Sequence, residues 1–353
     1  MSKILDQKTH KHSLLLLNSS FVAPVEITHI PNTPTAMKSN QNICTAGCLS
    51  CVTPYCMKYQ PTEIVPQSKL FAAFPVDMND YVCPTAAISW EKDALYPTIN
   101  PELCINCGLC ASRCPAGAIY LTEDHAVVYS NQELTSEVEY NEANAKIHAQ
   151  QIEVLSKALH GGKMLNETEQ LFFNIFEKMA TIKTDAQFPN ILTRNLILQT
   201  GNRCFVRRRG DVYLRIDAIM ELGEHAGIVE IEFNKDSLES PRAILDDIAV
   251  LVSRYGIDAS IIKPFIVSLE FPNIRTEYWR VIKDILNVLK VKINSLSIGV
   301  LLLFVWNFIN VDFQSKDFYA DVDKPSIKQE TQDALKVEPS LDGSKCAVLE
   351  PKK

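Results

Sequence analysis

"CINCGLCASRCPAGAI", residues 104 to 119, sets Cys104, Cys107, Cys110 and Cys114 at the spacing C-x2-C-x2-C-x3-C, with Pro115 directly after the fourth. Thiols three residues apart on a tight loop can turn three sulfurs towards one point. The end of the stretch, "CPAGAI", is echoed upstream by "CPTAAI" at Cys83. A further group, "CTAGCLSCVTPYC", carries Cys44, Cys48, Cys51 and Cys56. Nine of the 11 cysteines therefore lie between residues 44 and 114, with only Cys204 and Cys346 outside.

Working outward, a chain of 353 residues has room for about two domains. A net charge of −7 argues against a chain that coats nucleic acid along its whole surface, though not against a local basic face. Clustered cysteines in a small secreted domain would read as a disulfide framework. The early "SLLLLNSSFVAP" has four consecutive leucines, short of the roughly 7–15 apolar residues of a secretory signal. The expected setting is a reducing cytoplasm, where such cysteines bind metal. "IGVLLLFVW", residues 298–306, is nine residues long, against the roughly 20 of a membrane helix. It is expected to be a buried strand running from 296 to 306, and no membrane partner is expected.

The four-cysteine run followed by proline is the spacing of bacterial iron–sulfur loops, in which the fourth cysteine ligates a different cluster from the first three. A zinc site would show two separated C-x2-C pairs. Cys44, Cys48 and Cys51 also have the radical S-adenosylmethionine spacing, but another cysteine motif follows where that reading needs a long barrel.

With both cysteine groups and the CPTAAI/CPAGAI echo in view, residues 41–122 resemble the two-[4Fe–4S] ferredoxin family. The resemblance implies two 4Fe–4S clusters with crossed ligation: Cys104, Cys107 and Cys110 with Cys83 on one, and Cys114 with the N-terminal group on the other. Cys48 and Cys51 keep the family spacing, and Cys56 or Cys44 supplies the third N-terminal ligand. The alternative has all four N-terminal cysteines on one cluster and Cys114 spare. The 26 residues between Cys56 and Cys83 depart from the family pattern. The clusters could carry electrons to a redox partner protein, or staple a domain with few large apolar residues. Cys204 and Cys346 read as ordinary thiols.

The second informative stretch is "RRRGDVYLRIDAIMELGEHAGIVEIEF", residues 207–233. Alternate residues of a strand share a face, so Asp217 lines up with Tyr213, Arg215, Ile219 and Glu221, and Glu230 with Glu232 on the next strand. A tight connection would set Asp217 beside Glu230, a hard-oxygen pair suited to Mg2+ or Mn2+. Such a cation can polarise a phosphodiester and activate water. Residues 194–215 hold six arginines and one acid, Asp211. Arg207, Arg208, Arg209 and Arg215 are candidate phosphate contacts, since guanidinium forks match phosphate oxygens. His225 reads as a solvated turn residue.

Around this stretch the sequence predicts helices at 143–162, 166–180, 241–255 and 276–290. It predicts strands near 203, 211–222 and 226–233, then at 264–271 and 296–306. That order resembles the restriction-endonuclease-like PD-(D/E)XK superfamily. The resemblance implies metal binding by Asp217 and Glu230, with Glu232 at the position where lysine is usual. Lys235 has the wrong strand parity, and Glu169 or Glu177 could add an acid from the preceding helix.

The expected fold class is α+β: a small ferredoxin-like dicluster domain followed by an α/β restriction-endonuclease-like domain with a central mixed sheet. The expected division is an irregular lead-in (1–40), the dicluster domain (41–122), a linker (123–145), the nuclease-like domain (146–321) and a flexible tail (322–353). The function this implies is a 4Fe–4S protein with a metal-dependent phosphodiesterase-like activity on nucleic acid, DNA before RNA. The alternatives are a ferredoxin-type electron carrier and a redox-sensing nucleic-acid-binding regulator. No G-x-G-x-x-G dinucleotide fingerprint follows a strand.

Overall fold

The computed structural model describes Cys48 and residues 54–92, 94, 96–114, 119–121, 125–128, 168–211, 214–233, 237–306, 309–319, 326–335 and 346–352. The lead-in at 1–40 and the helix expected over 143–162 lie outside the described residues.

The cysteine region is built from very short elements. Strand β1 (Ile88–Ser89) pairs antiparallel with β2 (Thr98–Ile99), helix α1 (Leu109–Ser112) carries Cys110, and β3 (Ile119–Leu121) pairs antiparallel with β4 (Ala126–Val128). The β3–β4 hairpin crosses the boundary expected at residue 122.

Two helices follow, α2 (Thr168–Thr181) and α3 (Phe188–Gln199). The sequence reading contains no counterpart of α3. Its Pro189 sits in the first turn, where a missing N–H costs nothing. Its length is buried on nearly every side, so it lacks the polar face that marks an amphipathic helix.

A five-stranded sheet comes next: β5 (Arg203–Val206), β6 (Ala218–Leu222), β7 (His225–Glu232), β8 (Ile262–Ser268) and β9 (Asn294–Ser297), in that spatial order. β5, β6 and β7 form an antiparallel meander, whereas β7–β8 and β8–β9 are parallel. Parallel neighbours need a long crossover. Here the crossovers are helices α4 (Ser240–Tyr255) and α5 (Glu277–Leu289). α4 stops at Gly256, whose φ of +66° serves the left-handed helix end. The molecule is thus a mixed helix-and-sheet fold around a central mixed sheet. Residues 214–217, expected within the second strand, precede β6.

The apolar run at 298–306 corrects the expectation of a strand. β9 ends at Ser297, and residues Ile298–Trp306 form helix α6, every residue of it buried. A short uninterrupted apolar run has no periodicity by which to separate strand from helix. The local switch is Ser297, whose Oγ accepts the N–H of Val300 at 3.0 Å, a capping bond three residues on. The tail also differs from expectation. Ser326–Leu335 forms helix α7, and Cys346–Leu349 are buried. Phe271 N donates to Ala347 O, and Ser297 Oγ donates to Val348 O at 2.7 Å. A Cβ on Gly299 would collide with Val348, so glycine is what lets this segment lie on α6.

The two faces of the sheet bury different partners. One core joins Cys204, Val206, Ala218, Met220, Val229 and Ile231 to α3, α6 and the cysteine region. The other joins Phe205, Ile216, Ile219, Ile228 and Ile266 to α4 and α5. The cysteine region is therefore a layer sharing a core with the sheet. The 26-residue departure between Cys56 and Cys83 makes a second attachment at the edge strand β5. Asp77 N donates to Val206 O, Arg208 N to Pro75 O, and the N–H groups of Gln67 and Ser68 to Glu221 Oε1. Phe71 and Phe74 of that segment enter the α4–α5 core.

Candidate functional site

The cysteine loop turns because Asn106 and Gly108 take left-handed backbone, φ +60° and +81°. Asparagine tolerates that region and glycine enters it freely. The turn brings Cys104, Cys107 and Cys110 around one cavity together with Cys83, and Ala87, Ile88, Ile99, Ile105, Leu109 and Ala126 complete the wall. Cys114 does not line this cavity and is buried beside it. Backbone N–H groups reach the sulfurs: Cys83 Sγ accepts from Ala87 at 3.2 Å and Cys104 Sγ from Ala126 at 3.4 Å, and the Leu109 N–H serves Cys107. Burial raises the pKa of Cys104, Cys107 and Cys110, and the neighbouring thiols add to it. Four sulfurs converging in an apolar wall fit an iron–sulfur cluster. Ligation would remove the thiol protons that burial otherwise holds in place.

The supports of this pocket come from the rest of the chain. Trp306 Nε1, at the end of α6, donates to Cys107 O at 2.9 Å, and its ring stacks on Phe172 of α2. Lys178 Nζ donates to Cys104 O at 3.2 Å. Arg113, 1% exposed, donates from Nε to Tyr55 O and forks onto Glu63 at 3.0 and 3.1 Å, lying 4.1 Å over the Tyr59 ring. Tyr59 OH donates to Asn195 O, while Asn195 Nδ2 donates to Tyr81 O and Val82 O just before Cys83. None of these supports was singled out from sequence, because each joins residues tens to hundreds of positions apart. Of the N-terminal group, Cys56 is buried within charge range of Cys110 and Cys48 is half-buried. Cys44 and Cys51 lie outside the described residues.

The acidic residues assemble on the other face of the sheet. β6 and β7 pair Ala218 with Val229, so the next position outward sets Asp217 opposite Glu230. Asp217 Oδ2 accepts the N–H of Ile231 at 3.1 Å, and Asn190 Nδ2 approaches Oδ1 at 3.5 Å, the long limit of a hydrogen bond. Glu232 follows on the same face of β7. A residue absent from the sequence reading joins them: Asp247 of α4, 2% exposed. Its signal was present, since Ile244, Asp247 and Leu251 share the helix stripe that turns to the core, while Asp246 stays exposed. Burial and the surrounding carboxylates raise the pKa of Glu230 to about 8 and of Asp247 to about 7, and burial raises that of Asp217. Carboxylates held together against their own repulsion are a signature of functional sites.

Among the described residues no three His, Cys, Asp or Glu side chains sit close enough to share one ion directly. A cluster is larger than an ion, and Mg2+ needs only one or two carboxylates, completing its octahedron with waters and phosphate oxygens. The Asp217–Glu230 pair fits that donor set.

The arginines disperse. Arg194 is buried, and Arg203 Nε pairs with Glu221 at 2.7 Å. Arg207 turns inward, its NH1 donating to Asp211 O and Leu214 O. Arg208, Arg209 and Arg215 stay at the surface, with Arg209 bound to Asp185 at 2.7 Å. Glu177 is exposed on α2, whose buried residues Phe172 and Ile175 belong to the core on the cysteine side, away from Asp217. The side chain of Glu169, and all of Tyr213 and Lys235, lie outside the described residues. His225 begins β7 and meets Gln314. Cys204 and Cys346 are both buried.

Residues 97–120 match the family of 4Fe-4S binding domains. The chain is 51% identical over 45 residues to an uncharacterized ferredoxin of Methanocaldococcus jannaschii, covering 13% of this chain and 25% of that protein. It is 46% identical over 39 residues to a 7Fe ferredoxin of Hydrogenibacillus schlegelii, covering 11% and 47%. The likeness thus spans a quarter to a half of those ferredoxins. Among solved structures, the restriction endonuclease FokI aligns over 60% of this chain and 38% of its own, at 11% identity and a TM-score of 0.30, too loose to define the fold. Among the described residues no helix is long and apolar enough to cross a membrane.

Proposed function

We propose that the chain is an iron–sulfur-stapled, divalent-metal-dependent phosphodiesterase acting on DNA, with Asp217 and Glu230 holding the cation. The observation that carries this reading is the pairing of those two carboxylates across β6 and β7, beside Glu232 and under α4. A divalent cation bound there would polarise a phosphodiester and lower the pKa of an attacking water. In this reading Asp217 is oriented by Ile231 N and Asn190. Glu232 would take a proton from the water, and the exposed Arg208, Arg209 and Arg215 would contact the phosphate backbone. RNA is the alternative substrate.

For the cofactor, the reading is one cluster on Cys83, Cys104, Cys107 and Cys110, supported by their common cavity. A second cluster takes Cys114 with Cys48, Cys51 and Cys56 or Cys44. The two functional units are the cysteine region from 41 and the α/β region to about 321, in a reducing cytoplasm. A second reading, electron delivery to a partner protein, is favoured by the partial exposure of Cys83, which lines the cavity, and by the ferredoxin likeness.

The test is nicking of supercoiled plasmid with Mg2+ or Mn2+ by protein purified without oxygen, beside Asp217→Ala and Glu230→Ala. Metal-dependent nicking lost in both variants is the expected result. No nicking of DNA or RNA by cluster-loaded protein would overturn this reading in favour of electron transfer.

A further inference from the structure

α4 presents an inward stripe of Ile244, Asp247 and Leu251 to the sheet. Two of the three are apolar, and a third apolar residue would fill the site without desolvating a charge. Instead Asp247 buries a carboxylate whose Oδ2 finds no hydrogen-bond donor. A buried carboxylate oxygen without a donor is strongly unfavourable. Such a group in a natural fold calls for an explanation, and completion by a bound ion or its waters is one.

The direction in which it points is set by the sheet. Glu230 and Glu232 share the β7 face that carries Ile228, which the α4–α5 core covers, and Asp217 directly precedes β6 at the same end of the strand pair. After burial, the charge acting most on Asp247 is Asp217, and Asp247 acts on Glu230 in turn. Arg207 and Arg215 oppose the effect, but burial and the neighbouring acids outweigh them, and neither is hydrogen-bonded to Asp247 Oδ2. Arg207 NH1 is spent on Asp211 O and Leu214 O, and its buried Nε has no partner either. Yet no three acidic side chains among the described residues approach closely enough for one ion. Asp247 is therefore within charge range of Asp217 and Glu230 without joining them as a direct ligand of one ion.

We propose that Asp247 is the outer-shell carboxylate of this site, a positioning residue that accepts hydrogen bonds from the water of a Mg2+ or Mn2+ ion held by Asp217 and Glu230. The inference rests on the metal-site reading above. It adds that α4 as well as the strand pair determines cation affinity. Mg2+ keeps several waters when bound, and outer-shell partners of that kind change affinity about 10–100-fold.

The test titrates Mn2+ into cluster-loaded protein and reads the free-ion electron paramagnetic resonance signal. It compares the unsubstituted chain with D217N, D247N and D246N, each also melted in metal-free buffer. D217N should abolish binding, D247N should weaken it about 10–100-fold, and D246N, altering the exposed neighbour, should leave it unchanged. In metal-free buffer at pH 8, D247N should melt at or above the unsubstituted chain, because it removes an uncompensated buried charge. A purely packing role for Asp247 would lower the melting temperature and leave Mn2+ affinity unmoved. Binding lost in D217N but intact in D247N would overturn this inference alone. No Mn2+ binding by the unsubstituted chain would overturn it together with the metal-site reading.

Discussion

Trp306 is the joint at which the cysteine layer can be tested as part of the sheet's own core. It ends α6, is 1% exposed, stacks on Phe172 with ring centroids 5.3 Å apart, and gives its indole N–H to the carbonyl of Cys107. Replacement by Phe keeps an aromatic ring but removes the donor. The Cys107 carbonyl is then left buried without that partner, at about 1–3 kcal/mol. The missing second ring leaves a void of roughly 40 Å³, which at about 24 cal/mol per Å³ adds about 1 kcal/mol. The sum is about 2–4 kcal/mol. The assay is anaerobic urea unfolding of the cluster-loaded protein, followed at once by far-ultraviolet circular dichroism and by the visible absorbance of the cluster. Because Cys104, Cys107 and Cys110 share one core with α3, α6 and β5–β9, both signals should move together to lower urea in W306F. Cluster absorbance that bleaches early while the helix and sheet signal keeps its midpoint would refute the shared core. The cysteine region would then be an independent bead.

Three further outcomes are expected. C83S or C107S should each lower iron and sulfide content by one cluster per chain, measured by iron assay, while C204S leaves it unchanged. G299A should destabilise by about 1–3 kcal/mol in thermal melts, because the new methyl meets Val348 and a packed core gives little room for it. Glu230 is raised in the fold to about 8 from an ordinary 4.5. Its folded form therefore binds the proton more tightly than its unfolded form, and stability from this group present below 4.5 is lost as pH rises through 8. In metal-free buffer E230Q should accordingly gain melting temperature over the unsubstituted chain at pH 8.5 and little at pH 5, and an equal gain at both would sink the reasoning.

The cysteine loop was legible because its chemistry is local: four cysteines within 11 residues, with Asn106 and Gly108 where the chain must turn. The β6–β7 pair was legible for a similar reason. Its turn at Gly223–Glu224 is tight, so register follows from counting, and Asp217 falls opposite Glu230. What failed was set by packing. α6 carries no polar face because all its sides are covered, and only Ser297 marks its start. The arginine count of 194–215 implied a basic face, but Arg194 is buried, Arg207 turns inward and Arg203 is paired with Glu221. Net charge along a sequence says nothing about which way a β-strand's neighbours turn. Asp247 was passed over because a lone acid on a helix reads as surface until its stripe partners, Ile244 and Leu251, are counted with it.

The cysteine cavity shares the core on one face of the sheet, whereas Glu230 lies on the β7 face that carries Ile228 and the α4–α5 core, and this constrains what a cluster could do here. A cluster held by Cys83, Cys104, Cys107 and Cys110 would lie across the sheet from Glu230, so it would share no cavity with a ligand bound there. What the two sites do share is α3. Near its start, Asn190 approaches the Asp217 carboxylate; farther along, Asn195 holds the carbonyls of Tyr81 and Val82 directly before Cys83. One helix thus touches both the Asp217 carboxylate and the segment that leads into Cys83. The 26-residue segment that departs from the ferredoxin pattern fastens the same layer to edge strand β5. A freely diffusing electron carrier has no need of either attachment. A layer that must hold α3 and β5 in place for a carboxylate pair has need of both. This is the physical reason the stapling reading is preferred to electron transfer for a ferredoxin-like motif embedded in a much larger fold.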